Sequence, residues 1–445
     1  MSNNPMHADL LIHAGWVLPI APSRQALVGH SVAVTGGAIS AILPREQAQD
    51  IAAGETLDLP HHALMPGLVN CHGHAAMSLL RGFADDLPLM PWLHDHIWPA
   101  EAAHVSEQFV SDGATLAMAE MVRSGTTTFG DMYFFPDAVA AAANRAGMRC
   151  QLSFPILDFP SAWGRDADEY ISKGLALRDD YKHNDRVHLV FGPHSPYTLS
   201  EANLAKVSTL AAELDVPVHI HLHETRGEVL QAIEQTGERP LVTLNRLGLL
   251  GPRTQCVHMT DLTDDDIKLL ALSGAQVIHC PQSNMKLASG IAPITALASA
   301  GVNVALGTDG AASNNDLNLF GEMQAAALLA KVSTGDATAL SADDVLHMAT
   351  LGGATALGME SVTGSLELGK QADMIAVDMS GPETQPLYHL ASQLVYSCNG
   401  SQVTHSWVSG KPLMLSRQLQ TIPWDSVQSR VATWQQRIQS QGDTP

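Results

Sequence analysis

The sequence predicts a (β/α)8 barrel flanked by a small discontinuous β domain formed from both chain ends. Three observations carry that reading. Short apolar runs alternate with longer Ala- and Leu-rich stretches through residues 65–364. Weaker β signals punctuated by Gly and Pro stand at both ends of the chain. Six of the eight apolar runs close on His, Glu or Asp, where a barrel keeps its reactive side chains. A doubly wound open sheet would share the alternation. However, no Gly-x-Gly-x-x-Gly opens a helix after the first run, so nothing points to a dinucleotide site.

Taken in order, residues 1–64 read as short β structure. Runs 9–13, 16–18 and 31–34 are strand-like, and Gly36-Gly37 ahead of 38–42 reads as a hairpin turn. The barrel strands are expected at 68–74, 126–133, 150–157, 187–194, 216–223, 255–259, 275–280 and 302–307. Helical stretches separate them, for example 109–123, 201–214, 227–235, 264–272 and 293–300, and two more follow at 317–331 and 342–357. β signals return at 372–378 and 403–411, so the small domain is assigned to 1–64 together with 365–422, and the barrel to 65–364. The polar, Gln-rich tail 423–445 reads as a helix without a catalytic role.

The 24 basic and 45 acidic residues leave a formal charge of −21, a field that repels nucleic acid and anionic membrane and favours small neutral or cationic ligands. No apolar run reaches the length of a membrane span. Five scattered cysteines form no Cys-x-x-Cys pair, which fits a reducing compartment, and the first residues carry no basic n-region. A cytoplasmic location follows as the expectation.

The polar strand ends carry the chemistry. His72-Gly73-His74 closes the first run, and side chains two apart on a strand share a face, so two imidazoles can share one cation. The fourth run ends at His194, the sixth at His258, and the eighth leads into Thr308-Asp309-Gly310. The fifth reads Val218-His219-Ile220-His221-Leu222-His223-Glu224; its three histidines share one face, so spacing alone does not choose a ligand among them. Glu224 has the opposite parity and reaches the barrel mouth only if the strand ends or bulges there. A lone buried histidine is usually a core residue, and His219, His223 and His279 are read that way. Two histidines from the first strand, one from the fifth and a carboxylate from the eighth form a nitrogen- and oxygen-rich set that suits Zn2+ or Fe2+ with a position open for water.

These stretches resemble the metal-dependent amidohydrolase superfamily, in particular its aminohydrolase branch of 5′-methylthioadenosine/S-adenosylhomocysteine deaminases, guanine deaminases and triazine hydrolases. The resemblance rests on Pro66-Gly67-Leu68-Val69-Asn70-Cys71-His72-Gly73-His74, Gly125-Thr126-Thr127-Thr128, Phe191-Gly192-Pro193-His194-Ser195-Pro196-Tyr197, His221-Leu222-His223-Glu224-Thr225, Ser283 to Gly290, and Gly307-Thr308-Asp309-Gly310 running on to Asn315. Cys71 and Gly73 depart from the common pattern, and neither is a ligand. The resemblance makes His221 the metal ligand beside His72, His74 and Asp309. It implies one divalent ion, Zn2+ ahead of Fe2+, because the fourth strand lacks the lysine that bridges two metals in some members.

It also implies the reaction: hydrolytic deamination of 5′-methylthioadenosine or S-adenosylhomocysteine to the inosine analogue and ammonia by a metal-activated water. Glu224, His258 and Asp309 would be catalytic; Glu101 would bind the ribose hydroxyls; His194, Glu224 and Asp309 would contact the substrate. The alternative within the superfamily is deamination of a free base or another aminated heterocycle, such as guanine, 8-oxoguanine or a triazine. A small-molecule substrate and a homo-oligomer are the partners implied, with no nucleic acid and no membrane.

Overall fold

In a computed structural model that describes residues 7–442, the eight apolar runs form one all-parallel sheet in sequential order. The barrel strands are Leu68–Asn70, Thr126–Met132, Arg149–Ile156, Val187–Pro193, Val218–Leu222, Thr254–His258, Gln276–His279 and Val304–Leu306. Neighbouring ladders link the first strand through to the eighth, and the ring closes where the Cys71 N–H donates to the Leu306 carbonyl at 2.9 Å. The barrel reading therefore holds over the open sheet.

Local chemistry delimits the outer helices. Ser106 opens Glu107–Arg123 by accepting the Phe109 N–H, and Thr263 with Asp266 forms a capping box before Asp264–Ser273. Glycines in the left-handed region stop the chain just before the next strand, Gly147 at φ 78° ahead of Arg149–Ile156 and Gly274 at φ 73° ahead of Gln276–His279. The core lies between these helices and the outer faces of the strands, with Phe129, Phe154 and Phe191 wholly buried.

Strands from the two chain ends build a nine-stranded mixed sheet beside the barrel. His7–Val17 runs parallel to Ala52–Pro66, which in turn pairs antiparallel with Met374–Asp378 and so joins the N-terminal strands to the C-terminal ones. The runs expected separately at 9–13 and 16–18 are one strand. Gly15 does not break it; a Cβ there would meet the Pro60 carbonyl oxygen at 2.3 Å, so glycine permits the close approach at a bulge. Arg149, on the third barrel strand, donates to Asp373 at 2.8 Å with both side chains buried, tying the sheet to the barrel. The C-terminal helix Trp424–Gly442 lies against Glu107–Arg123, where Trp434 Nε1 donates to Asp112 at 3.0 Å.

Candidate active site

Ring nitrogens and one carboxylate converge at the C-terminal end of the barrel. His72 Nε2 stands 3.3 Å and His74 Nε2 3.1 Å from Asp309 Oδ1, and His221 Nε2 lies 3.2 Å from His72 Nε2. Donors held about 2.0–2.2 Å from one tetrahedral cation stand about 3.3–3.6 Å apart, so the spacing is that of a ligand set.

The far side of each ring fixes which nitrogen faces inward. His74 Nδ1 donates to the Met132 carbonyl at 2.6 Å and His221 Nδ1 to the His194 carbonyl at 2.8 Å. His72 Nδ1 meets His219 Nε2 at 2.8 Å, and His219 Nδ1 in turn meets Gln255 Oε1 at 2.7 Å. The Gln255 amide cannot rotate freely, because its Nε2 donates to the Ala356 carbonyl at 2.9 Å. Its oxygen therefore demands a proton on His219 Nδ1, His219 Nε2 accepts from His72 Nδ1, and His72 Nε2 is left with a lone pair. Ser283 and Ser313 hydroxyls, at 2.7 and 2.9 Å, occupy Asp309 Oδ2 and leave Oδ1 for the cluster. Two buried imidazoles and the half-buried His74, offering lone pairs beside one carboxylate, fit a divalent cation of borderline softness.

Two backbone reversals aim the remaining polar groups. The fifth strand ends at Leu222, and His223 adopts φ 51°, which rotates Glu224 toward the mouth despite its parity. His223 itself turns away, its Nδ1 donating to the Asp261 carbonyl at 2.8 Å and its Nε2 accepting from the Leu241 N–H at 3.1 Å. His258, at φ 79°, is held by Asn284 Oδ1 at 2.9 Å and presents Nε2 to Glu224 Oε2 at 3.9 Å. Asp309 also lies in the left-handed region, at φ 62°.

Electrostatics separates the roles. Burial lifts the Glu224 carboxyl above the usual range, with Asp309 adding to the effect and His258 opposing it. Burial, then the neighbouring His74, pushes His194 down to about 4, so this ring is neutral at pH 7. Asp309 is held well below the usual range: burial opposes its charge, but His72 and His74 outweigh burial.

A cavity of about 610 Å³ opens over these groups, with His74, His194, His221, Glu224, His258 and Asp309 in its floor. Its roof comes from the segment between the first strand and Glu107–Arg123. There the short helix Trp98–His104 carries Glu101, whose Oε1 accepts the Tyr133 hydroxyl at 2.7 Å. Trp92 and Trp98 line the same roof. Every residue given a metal, catalytic or substrate role from the sequence lies on this cavity except His72, which is buried within 3.3 Å of Asp309 and His221. Sequence reasoning gave no role to Gln255, Tyr133, Ser283 or Ser313, the last two standing only within stretches that carry the resemblance, and read His219 as core. The available signal for His219 was its shared face with His221.

Residues 63–413 match the sequence family described as the amidohydrolase family. The chain belongs to that family. Amidohydrolases depend on metal, in keeping with two overlapping groups of donors that share His72, one with His74 and Asp309 and the other with His221 and His258. A protein of Teredinibacter turnerae named 5-methylthioadenosine/S-adenosylhomocysteine deaminase is 51% identical over 436 residues, covering 98% of this chain and 99% of that protein. A protein of the same name from Saccharophagus degradans is 51% identical over 439 residues, covering 98% of each. The crystal structure of an adenosine deaminase from Xanthomonas campestris with bound zinc superposes with a TM-score of 0.97 at 49% identity, over 98% of this chain and all of that one.

Proposed function

We propose that this amidohydrolase deaminates the adenine ring of a 5′-thioether adenosine, 5′-methylthioadenosine or S-adenosylhomocysteine, releasing the inosine analogue and ammonia. The observation that carries the chemistry is the pairing of the buried Glu224 carboxyl with His258 at 3.9 Å, on the same cavity as His74, His221 and Asp309. The substrate class is supported by the naming of relatives half identical over nearly their full length, and by Glu101 on the cavity roof, where a carboxylate can accept from a ribose diol.

His72, His74, His221 and Asp309 would hold the cation, Zn2+ in our reading given the zinc in the Xanthomonas structure. Bound there, the cation supplies a water acidic enough to serve as nucleophile near neutral pH. His258 and Asp309 orient the attacking water and take up its proton. Glu224, its carboxyl raised above the usual range by burial, delivers a proton to the ring nitrogen beside the amino-bearing carbon as the new C–O bond forms. The ring carbon becomes tetrahedral. When its C–N bond breaks, the amino group departs as ammonia with a proton relayed through Asp309, the new hydroxyl returns its proton to Glu224 as it becomes the keto oxygen, and Glu101 and His194 hold the nucleoside meanwhile. We place the protein in the cytoplasm as a homo-oligomer acting on a free small molecule. The charge of −21 argues against nucleic acid and membrane surfaces, and no helix among the described residues is long and apolar enough to cross a membrane.

The test is loss of adenine absorbance with ammonia release by the metal-loaded protein, given 5′-methylthioadenosine, S-adenosylhomocysteine, adenosine, adenine and guanine in parallel. Turnover of a thioether nucleoside with Glu224→Gln reduced by 100-fold or more, about the contribution of a positioned proton donor, is the expected result. Activity on guanine alone would move the substrate to a free base.

A further inference from the structure

The lining of the cavity is of two chemical kinds, with Glu101 on the roof helix above the floor. Below it lie the imidazoles and carboxylates of the floor. Toward the mouth, the wall is built from Leu89, Trp92, Leu93 and Trp98 of the roof and from Phe159 and Pro160 of the segment after the third strand. Trp98 and Glu101 are three apart on one short helix and so share its inner face. A nucleoside with its amino-bearing carbon at the floor and its diol at Glu101 therefore directs its C5′ substituent against this apolar wall.

The same wall carries no cationic side chain among the described residues, and its polar group is the Ser161 hydroxyl beside Phe159 and Pro160. Among the described residues no lysine or arginine lines the cavity, and its three carboxylates are Glu101, Glu224 and Asp309. Cations of adjacent segments are held elsewhere: Lys286 Nζ lies 2.6 Å from Asp85, Lys173 Nζ donates to the Trp163 carbonyl at 2.6 Å, and Arg165 Nε pairs with Glu169 at 2.5 Å. An amino-acid tail brought here would leave its carboxylate without a cationic partner beside indole and phenyl rings, at a desolvation cost.

Resting on the deaminase reading above, we infer that the mouth half of the cavity selects an uncharged alkylthio group on C5′ and rejects a zwitterionic amino-acid tail. 5′-Methylthioadenosine is then the preferred thioether substrate, and S-adenosylhomocysteine a poor one. Phe159, 46% exposed at the cavity edge, is the wall residue free to be exchanged for a charged one.

The experiment compares kcat/KM of the metal-loaded enzyme for 5′-methylthioadenosine, 5′-butylthioadenosine and S-adenosylhomocysteine. Calorimetric binding of the products 5′-methylthioinosine and S-inosylhomocysteine supplies a readout that needs no turnover. Both alkylthio nucleosides should turn over well, and S-adenosylhomocysteine should fall behind by on the order of 100-fold, the loss expected for an ionic group left unpaired. The products should bind in the same order. Phe159→Arg should raise S-adenosylhomocysteine turnover about fivefold, the scale of a half-exposed ion pair, and lower that of the butylthio compound. Equal kcat/KM for methylthio and homocysteine substrates overturns the inference and leaves the deaminase reading standing. Silence on all three with the metal confirmed in place overturns both.

Discussion

At the scale of single residues, the site depends on a relay that reaches well beyond the atoms facing the cavity. Gln255, anchored through Ala356, sets the proton on His219, and His219 sets the lone pair on His72. Gln255→Met keeps the bulk and removes the acceptor. His219 can then hold its proton on either nitrogen, and in one of the two tautomers it no longer accepts from His72. Metal affinity measured by competition with a chromogenic chelator should fall about 10–100-fold, the usual effect of losing such an orienting partner, while the fold remains intact by circular dichroism. Unchanged affinity would mean that His72 is oriented by packing alone. This relay was only half legible in the sequence. His72, His74 and His221 stand out by spacing and resemblance, but the partner that orders them lies on the next strand, and Gln255 is an ordinary residue until that strand is placed beside the fifth.

At the scale of elements, alternation and strand-end polarity were the legible features, because both follow directly from the two-residue period of a strand and the one-sided reactivity of a barrel. What escaped the reading were the positions where tertiary contact overrides local signal. The helix expected over 342–357 is two, Ala342–Met348 and Leu351–Ala356, broken at Thr350. Gly353 there lies so close to the first strand that a Cβ would meet Val69 at 2.9 Å. The turn at His223 is likewise invisible in a pattern of alternating histidines, yet it decides that Glu224 and not His223 faces the cavity. The link between barrel and sheet makes a second prediction. Asp373 receives Arg149 with both groups buried, and it also accepts the Ser409 N–H at 2.7 Å. Arg149→Met would strand that carboxylate, and breaking a buried pair from one side costs about 3–5 kcal/mol. The urea midpoint should drop accordingly, whereas Arg149→Met combined with Asp373→Asn should recover part of the loss. No recovery in the double variant would show that packing of the arginine stem, and not its charge, holds the joint.

For the whole molecule, the proposed ligand set would act as a clasp between distant parts of one chain. His72 and His221 are 149 residues apart and come from the first and fifth strands, while Asp309 follows the eighth. Without a cation, the nitrogen lone pairs of these rings and the Asp309 carboxylate would face one another as acceptors. The unfolded chain cannot reproduce this convergence, so a cation binds the native state alone and stabilises it by mass action, about 4 kcal/mol at a thousandfold excess over Kd. Exhaustive chelation should therefore lower the thermal midpoint by several degrees and abolish turnover together. Zn2+ should restore both. Mg2+ should restore neither, since a cluster of three imidazoles disfavours a hard ion that demands oxygen ligands. If chelation removed the metal and the midpoint did not move, the clasp would contribute nothing to the fold. The buried histidines would then have to be held in register by their own hydrogen bonds to Met132, His194 and His219.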